Sequence, residues 1–380
     1  MFLMGIERQR DAAKLRGLME SFPVTAILGP RQCGKSTLAR DLNPSHSFDL
    51  ENPRDLAKLQ NPMLSLEHLE GVVMIDEIQR QPDLFPLLRY LCDQKPDRRF
   101  LVLGSASRDL IRQSSESLAG RIAYQQLGGF RIEDVGDLQR LWLRGGFPRA
   151  YLADDDVKAD VWKQQYVTTY LEQDIPQLGI RIPSQTLRRF WTMLAHYHGQ
   201  TLNFSELATS FGISDKTVRH YVEILEGTFM VRLLQPWLPN VGKRQVKSPK
   251  LYLRDSGIFH SLMRQVTEED VISNPKLGAS WEGFALEQCI QALELTAGEA
   301  FFWKPHDGTG ELDLFYLRHG KNCGIEFKYA DAPVITKSMR KSVDLLELDR
   351  LWVVYPGSQS YELDEKIRVI PLEKVAELVR

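Results

Sequence analysis

Gly29-Pro30-Arg31-Gln32-Cys33-Gly34-Lys35-Ser36-Thr37 fits the pattern G-x-x-x-x-G-K-[S/T]. Val24 to Leu28 before it is an apolar run that reads as a short buried strand, and Thr37-Leu38-Ala39-Arg40 after it can open a helix. Strand, glycine loop and helix form the context in which this pattern makes a phosphate cradle. Backbone N–H groups of Gly29 to Thr37 would point at phosphate oxygens. Lys35 would reach the β- and γ-phosphates, and the Ser36 hydroxyl would sit on Mg²⁺. The competing reading, a glycine turn beside an ordinary lysine, does not account for the flanking pattern.

Outward from the loop, Phe48-Asp49-Leu50 reads as a second strand, with a helix from Pro53-Arg54-Asp55. Val72-Val73-Met74-Ile75-Asp76-Glu77 is four apolar residues ending in two carboxylates, a buried parallel strand. Asp76 at its end can hold the Mg²⁺ shell, and Glu77 can polarise the water that attacks the γ-phosphate. Phe100 to Leu103 is a third strand, followed by Gly104-Ser105-Ala106-Ser107. Ser105 is the expected γ-phosphate sensor; a hydroxyl that caps the next helix is the other reading. Arg121, in Ser117-Leu118-Ala119-Gly120-Arg121, precedes another apolar segment, Ile122 to Leu127. It reads either as a finger reaching a neighbouring subunit's γ-phosphate or as the partner of a local carboxylate.

In that order of motifs, residues 24 to 130 resemble the AAA+ branch of P-loop ATPases. More narrowly, the chain resembles a prokaryotic group of AAA-type ATP-binding proteins with a C-terminal domain of unknown function. The stretches that carry this are GPRQCGKST, MIDEIQ, GSAS, LAGR, GGFPRAY at 145–151 and YLEQDI at 170–175. The resemblance implies an α/β fold, ATP and Mg²⁺ as cofactors, and ATP hydrolysis. The finger reading of Arg121 implies a shared pocket and hence a homo-oligomer, with a hexameric ring as one form.

The bulk properties set the frame. At 380 residues the chain exceeds what one core usually serves, so several domains are expected. Hydrophobic residues at 43% and charged residues at 26% suit a globular protein. Met1 to Ile6 is too short for a signal peptide, and no apolar run approaches membrane-spanning length. The four cysteines lie far apart with no C-x-x-C, which suits a reducing cytoplasm and argues against a zinc ribbon. A cytoplasmic protein without membrane partners is therefore expected. Because the net charge is −2, any nucleic-acid contact must come from a local basic patch.

Four parts are expected: an ATPase domain at 1–140, a helical lid or linker at 141–185, a winged helix at 186–262 and a nuclease-like domain at 263–380. Gly145-Gly146-Phe147-Pro148 opens the second part, and Val157 to Asp174 reads as a helix with Trp162, Tyr166, Tyr170 and Leu171 on one face. In the third, Leu187 to Tyr197 is a helix. Asn203 then caps a helix with Glu206 three residues on, Gly212 turns the chain, and Ser214 caps the next helix. Two helices about a glycine turn read as a helix-turn-helix, and Met230 to Leu234 and Leu251 to Leu253 as the wing. Exposed Lys216, Arg219 and His220, with the wing-loop residues Lys243, Arg244, Lys247, Lys250 and Arg254, would contact DNA phosphates. The alternative is a packing module with a solvated basic loop.

The last part holds a helix, Leu277 to Leu295, with Glu282 and Glu287, then the alternating strand Glu311-Leu312-Asp313-Leu314-Phe315-Tyr316, then Gly324-Ile325-Glu326-Phe327-Lys328. Period-two alternation puts Asp313 with Glu311 and Glu326 with Lys328. The set Glu282, Asp313, Glu326, Lys328 resembles the PD-(D/E)XK nuclease arrangement, which implies carboxylates on Mg²⁺ and a lysine that positions hydroxide. The leading Glu-Leu-Asp, in place of Pro-Asp, makes this match looser than that of the phosphate loop. Three functions compete: an ATP-driven protein coupled to a DNA-associated module, a regulatory ATP switch with an inactive interaction module, and an ATP-gated nuclease.

Overall fold

The computed structural model describes residues 6–95, 97–105, 114, 116–177, 182–238, 247–305 and 310–379. The chain divides into two compact units: 1–130 with 227–229, and 131–226 with 230–380. The division falls at 130/131, and the segments expected as linker, winged helix and nuclease-like domain cluster together in the second unit.

The first unit is a five-stranded parallel sheet. Its strands are β1 (Val24–Gly29), β2 (His46–Asp49), β3 (Val72–Asp76), β4 (Arg99–Ser105) and β5 (Ile122–Gln126), in the order β2-β3-β4-β1-β5. Every residue of β1 is buried, as expected of a parallel strand covered on both faces. Leu28, Val73, Ile75, Phe100 and Val102 share one core with Leu84, Phe85 and Leu88 of a helix, α3 (Leu84–Gln94). Each fully buried aliphatic side chain there contributes roughly 1.5–3 kcal/mol. Since all five strands run the same way, Gly29, Asp76 and Ser105 end on one rim, with Gly29 in register with Ser105. Two helices frame the unit's start: α1 (Gln9–Ser21) precedes β1, and α2 (Lys35–Arg40) follows the loop after it.

The second unit is organised by a nine-stranded mixed sheet. Its strands are β6 (Gln200–Thr201), β7 (Val231–Pro236), β8 (Lys250–Leu253), β9 (Phe301–Trp303), β10 (Leu312–Arg318), β11 (Lys321–Phe327), β12 (Arg350–Tyr355), β13 (Tyr361–Glu362) and β14 (Ile367–Pro371). The order is β13-β14-β12-β11-β10-β9-β7-β8-β6. Parallel pairing of β7 with β9 therefore makes the wing strands and the C-terminal strands one sheet. A helix spans Leu277–Ala292 and is buried nearly all round, from Trp281 to Ile290, which explains its lack of a polar face. The C-terminal segment 372–379 is a 3-10 helix rather than an α-helix.

The helix expected at 157–174 is α-helical over Asp156–Thr169 and widens into a π-turn at Tyr170–Asp174. Pro176, which has no N–H to donate, follows at once. Along the aromatic face of that helix, Trp162 stacks on Tyr166 at 5.2 Å, and Tyr170 meets Trp191 at 5.2 Å. The two helices expected to form a helix-turn-helix span Phe204–Phe211 and Asp215–Gly227. Asn203 accepts the Glu206 N–H at 3.2 Å, Ser214 accepts the Thr217 N–H at 3.1 Å, and Gly212 turns the chain at φ 65°.

Candidate functional site

The first site lies on the rim of the parallel sheet. The loop between β1 and α2 turns through two left-handed residues, Gln32 (φ 60°) and Gly34 (φ 101°). Gly29 is fixed by space: a Cβ there would lie 2.1 Å from the Leu127 carbonyl oxygen. The buried Lys35 ammonium donates to the carbonyls of Gly29 and Pro30 at 3.0 and 2.8 Å, which holds it at the loop. Ser36 Oγ donates to Asp76 Oδ2 at 2.6 Å. A hydroxyl and a carboxylate oxygen side by side suit Mg²⁺, which takes oxygen ligands, so the residues fit that ion.

Asp76 Oδ1 also accepts the Glu77 N–H at 2.9 Å, and Glu77 holds a left-handed φ of 55°. Non-glycine residues in that region carry strain that collects at functional sites. Burial, with Asp76 adding to it and Lys35 opposing, raises the Glu77 carboxyl above the usual glutamate value, a shift that suits a base. Gln79 donates to the same carboxylate. Ser105 ends β4 on this rim; its side chain lies outside what the structure describes. Arg121 makes a two-point pair with Asp93, at 2.8 and 3.0 Å. That pair realises the local-carboxylate alternative within this subunit.

Arg8 is a residue that sequence reasoning missed. It is 6% exposed, pairs with Asp11 at 2.9 Å and donates to the carbonyls of Cys33, Gly128 and Gly129. It therefore ties the phosphate loop to the segment after β5. Its only sequence signal is an arginine at a helix start, where a surface charge is the ordinary expectation.

The second site lies in the other unit, and here Lys250 needs correcting. It was expected on a basic wing surface, yet its side chain is 2% exposed. Its ammonium lies 2.5 Å from Glu311, 3.2 Å from Glu282 and 3.5 Å from Asp313. Lys250 opens β8 between β6 and β7, so the strand carries it inside the sheet. Burial works against its charge, but Tyr252, Glu282, Asp313 and Glu311 together hold the ammonium well above the ordinary lysine range. Tyr252 also donates to Glu282 Oε1 at 2.5 Å, and the Phe327 N–H donates to Asp313 Oδ2 at 3.1 Å. Lys328 donates to Glu326 Oε1 at 2.8 Å. Burial is the main cause that raises the Glu282 and Glu326 carboxyls, with Asp313 adding to both.

Of the expected set, Glu282 and Asp313 thus gather around Lys250, while Glu326 and Lys328 pair with each other. Among the described residues no group of three or more His, Cys, Asp or Glu is placed to hold a metal ion. The donor set does not fit the Mg²⁺ expected there, because the Lys250 nitrogen already draws on Glu282 and Asp313.

Of the basic patch, Lys243 and Arg244 lie outside the described residues, while Lys247, Lys216 and His220 are exposed. Arg219 lies over the Phe204 ring at 3.9 Å and so braces the two helices of the turn motif. Among the described residues no helix is long and apolar enough to cross a membrane.

A family model described as an AAA domain matches residues 21–135. Two described as domains of unknown function, DUF8612 and DUF4143, match 135–269 and 277–375. Among solved structures, a Walker-type ATPase of Pyrococcus abyssi is 17% identical with a TM-score of 0.48, covering 68% of this chain and 96% of that one. A signal transduction ATPase with numerous domains from Pyrococcus horikoshii is 12% identical with a TM-score of 0.30, covering 76% and 45%. The AAA domain match and the rim geometry together support ATP binding and hydrolysis. Curated relatives include the uncharacterized proteins Rv2008c of Mycobacterium tuberculosis and Mb2031c of Mycobacterium bovis. Each is 46% identical over 378 residues, 98% of this chain and 85% of the relative. At that identity over nearly its whole length, the chain belongs to the same family as these mycobacterial proteins, with an AAA domain at residues 21–135.

Proposed function

We propose that the protein is an ATP-hydrolysing AAA+ protein that couples its nucleotide state to a DNA-associated C-terminal module. The observation that carries it is the Ser36–Asp76 pair at 2.6 Å, set beside Lys35 and Glu77 on one sheet rim. In this reading Gly29 to Thr37 cradle the phosphates and Lys35 binds the β- and γ-phosphates. Ser36 and Asp76 hold Mg²⁺, which when bound neutralises charge building on the phosphate oxygens. Glu77 orients and deprotonates the attacking water, and Ser105 senses the γ-phosphate. Arg121, once released from Asp93, serves a neighbour's pocket, so the working form is a homo-oligomer, with a hexameric ring as one arrangement.

The DNA-facing part of the reading rests on the two capped helices with exposed Lys216 and His220, on exposed Lys247, and on Lys243 and Arg244, which precede it in the sequence. Such cations contact phosphates and give salt-sensitive, sequence-indifferent affinity. The test is ATPase activity and DNA retention against single-stranded, duplex and branched DNA across a salt series. Stimulated turnover, with retention lost in a Lys243→Glu, Arg244→Glu, Lys247→Glu variant, supports the reading. Turnover indifferent to every DNA, or retention unchanged in the variant, contradicts it.

A second reading is favoured by one observation, the lysine among the C-terminal carboxylates. There the protein is a regulatory ATP switch whose nuclease-like part is an inactive interaction module. Nucleotide-dependent partner capture, compared between wild type and Glu77→Gln, tests it. An ATP-gated nuclease would require Mg²⁺-dependent cleavage lost in Asp313→Ala.

A further inference from the structure

We infer that Lys250 is a resident cation: its ammonium takes the place a divalent ion would hold between Glu282 and Asp313, beside Glu311, so the C-terminal site is closed to metal. This deepens the second reading above and rests on its assignment of the C-terminal unit as nuclease-like.

The argument starts from three carboxylates on one nitrogen. An ammonium has three donors and no acceptor, and Lys250 has three carboxylate neighbours: Glu311 at 2.5 Å, Glu282 at 3.2 Å and Asp313 at 3.5 Å. These come from three separate places: the helix Leu277–Ala292, the residue before β10, and β10 itself. Lys250 also lies over the Phe302 ring at 5.6 Å. Such convergence on one buried cation is what a charge needs to remain inside a protein.

The acceptor oxygens are nearly all committed. Glu282 Oε1 receives both Lys250 and the Tyr252 hydroxyl. Asp313 uses Oδ1 for Lys250 and Oδ2 for the Phe327 N–H. Glu311 uses its second oxygen for Lys304 at 2.7 Å. A divalent cation would compete for the oxygens that Lys250 already holds and would meet a fixed positive charge. Two oxygens stand apart among the described residues: Glu282 Oε2, since both of that residue's bonds go to Oε1, and Glu326 Oε2, which is buried with no hydrogen-bond partner while Oε1 takes Lys328. Glu326 is paired with Lys328 and stands outside the three carboxylates that Lys250 holds.

The ligand class follows. With Lys250 present, the site takes no divalent cation. With Lys250 replaced by a neutral side chain, Glu282, Glu311 and Asp313 are released, and their hard oxygens suit Mn²⁺ or Mg²⁺.

The experiment is Mn²⁺ titration, followed by electron paramagnetic resonance, on the nucleotide-free full chain. It compares wild type, Asp313→Asn, Lys250→Met, and Lys250→Met combined with Asp313→Asn. Retained ATP binding and a cooperative melt establish that each variant is folded. The expected result is no Asp313-dependent Mn²⁺ in wild type, one Mn²⁺ gained in Lys250→Met, and its loss in the double variant. Asp313-dependent Mn²⁺ in wild type overturns the proposal, as does a folded Lys250→Met that gains none. If Lys250→Met does not fold, wild type against Asp313→Asn still decides. Nucleotide-dependent partner capture is read on the same preparations. Capture together with Asp313-dependent Mn²⁺ in wild type would refute the resident cation and spare the switch reading. No capture with a lysine-closed site would do the reverse.

Discussion

Glu287→Gln is the substitution whose cost the structure lets one work out. Glu287 lies on the helix that also carries Glu282, and its side chain is 3% exposed. Arg232 on β7 grips both of its oxygens, one of them at 3.0 Å, and Arg254 just after β8 adds a bond at 3.2 Å. Burial alone would push the carboxyl up, but the two guanidiniums outweigh it and hold the value down to about 2. The fall from 4.5 to about 2 corresponds to about 3 kcal/mol of folded-state stabilisation. Removing one partner of a buried pair costs roughly 3–5 kcal/mol, so an independent route gives the same size. Glutamine keeps the shape and loses the charge, leaving two partly buried guanidiniums facing an amide. Urea unfolding followed by tryptophan fluorescence should show the second unit weakened by about 3 kcal/mol, roughly a 100-fold loss in the folded ratio. The sign with pH follows from the depressed value. The stabilisation is present above 4.5 and is lost as pH falls toward 2. Wild type should therefore show an acid limb in that window that flattens in Glu287→Gln. A loss below about 1 kcal/mol, or an unchanged acid limb, would refute the claim that this pair clamps the helix to the sheet.

Two further outcomes bear on the nucleotide site. Arg121→Ala should cut turnover by about 10²-fold or more while ATP binding persists, and Asp93→Ala should not cut it. Turnover that does not rise with protein concentration, or that ignores Arg121→Ala, would leave Arg121 as Asp93's local partner only. Gly29→Ala should weaken ATP binding by about tenfold or more, because its Cβ would lie 2.1 Å from the Leu127 carbonyl oxygen and push the loop aside. Isothermal titration decides it, and wild-type affinity in the variant would contradict the close approach.

The phosphate loop, Asp76 and Glu77 were legible because their signal is local. A glycine loop after an apolar strand, and carboxylates at the end of another, announce themselves within a few residues. The two helices Phe204–Phe211 and Asp215–Gly227 were legible for the same reason, through Asn203, Gly212 and Ser214. Lys250 was not, since it sits in a basic run and reads as one more solvated charge. Its partners Glu282 and Asp313 lie 32 and 63 residues away, one on a helix and one on another strand, and only the tertiary fold brings them together. Arg8 was hidden in the same way, with partners 120 and 121 residues distant. Alternation correctly grouped Glu311 with Asp313 and Glu326 with Lys328, but it carries no information about a cation arriving from another strand. The aromatic face of the helix at 156–169 was legible as a stripe; which core it enters was not, because periodicity gives a face and no partner.

The central claim is that the rim of the parallel sheet hydrolyses ATP, with Lys35 binding phosphate and Glu77 acting on water. Its most direct test is ATP affinity and turnover measured side by side for wild type, Lys35→Ala and Glu77→Gln. The account predicts turnover in wild type and loss of ATP binding in Lys35→Ala. It also predicts near wild-type affinity in Glu77→Gln, with turnover lowered by about 10²–10⁴-fold. Wild-type ATP affinity in Lys35→Ala, or undiminished turnover in Glu77→Gln, would contradict it.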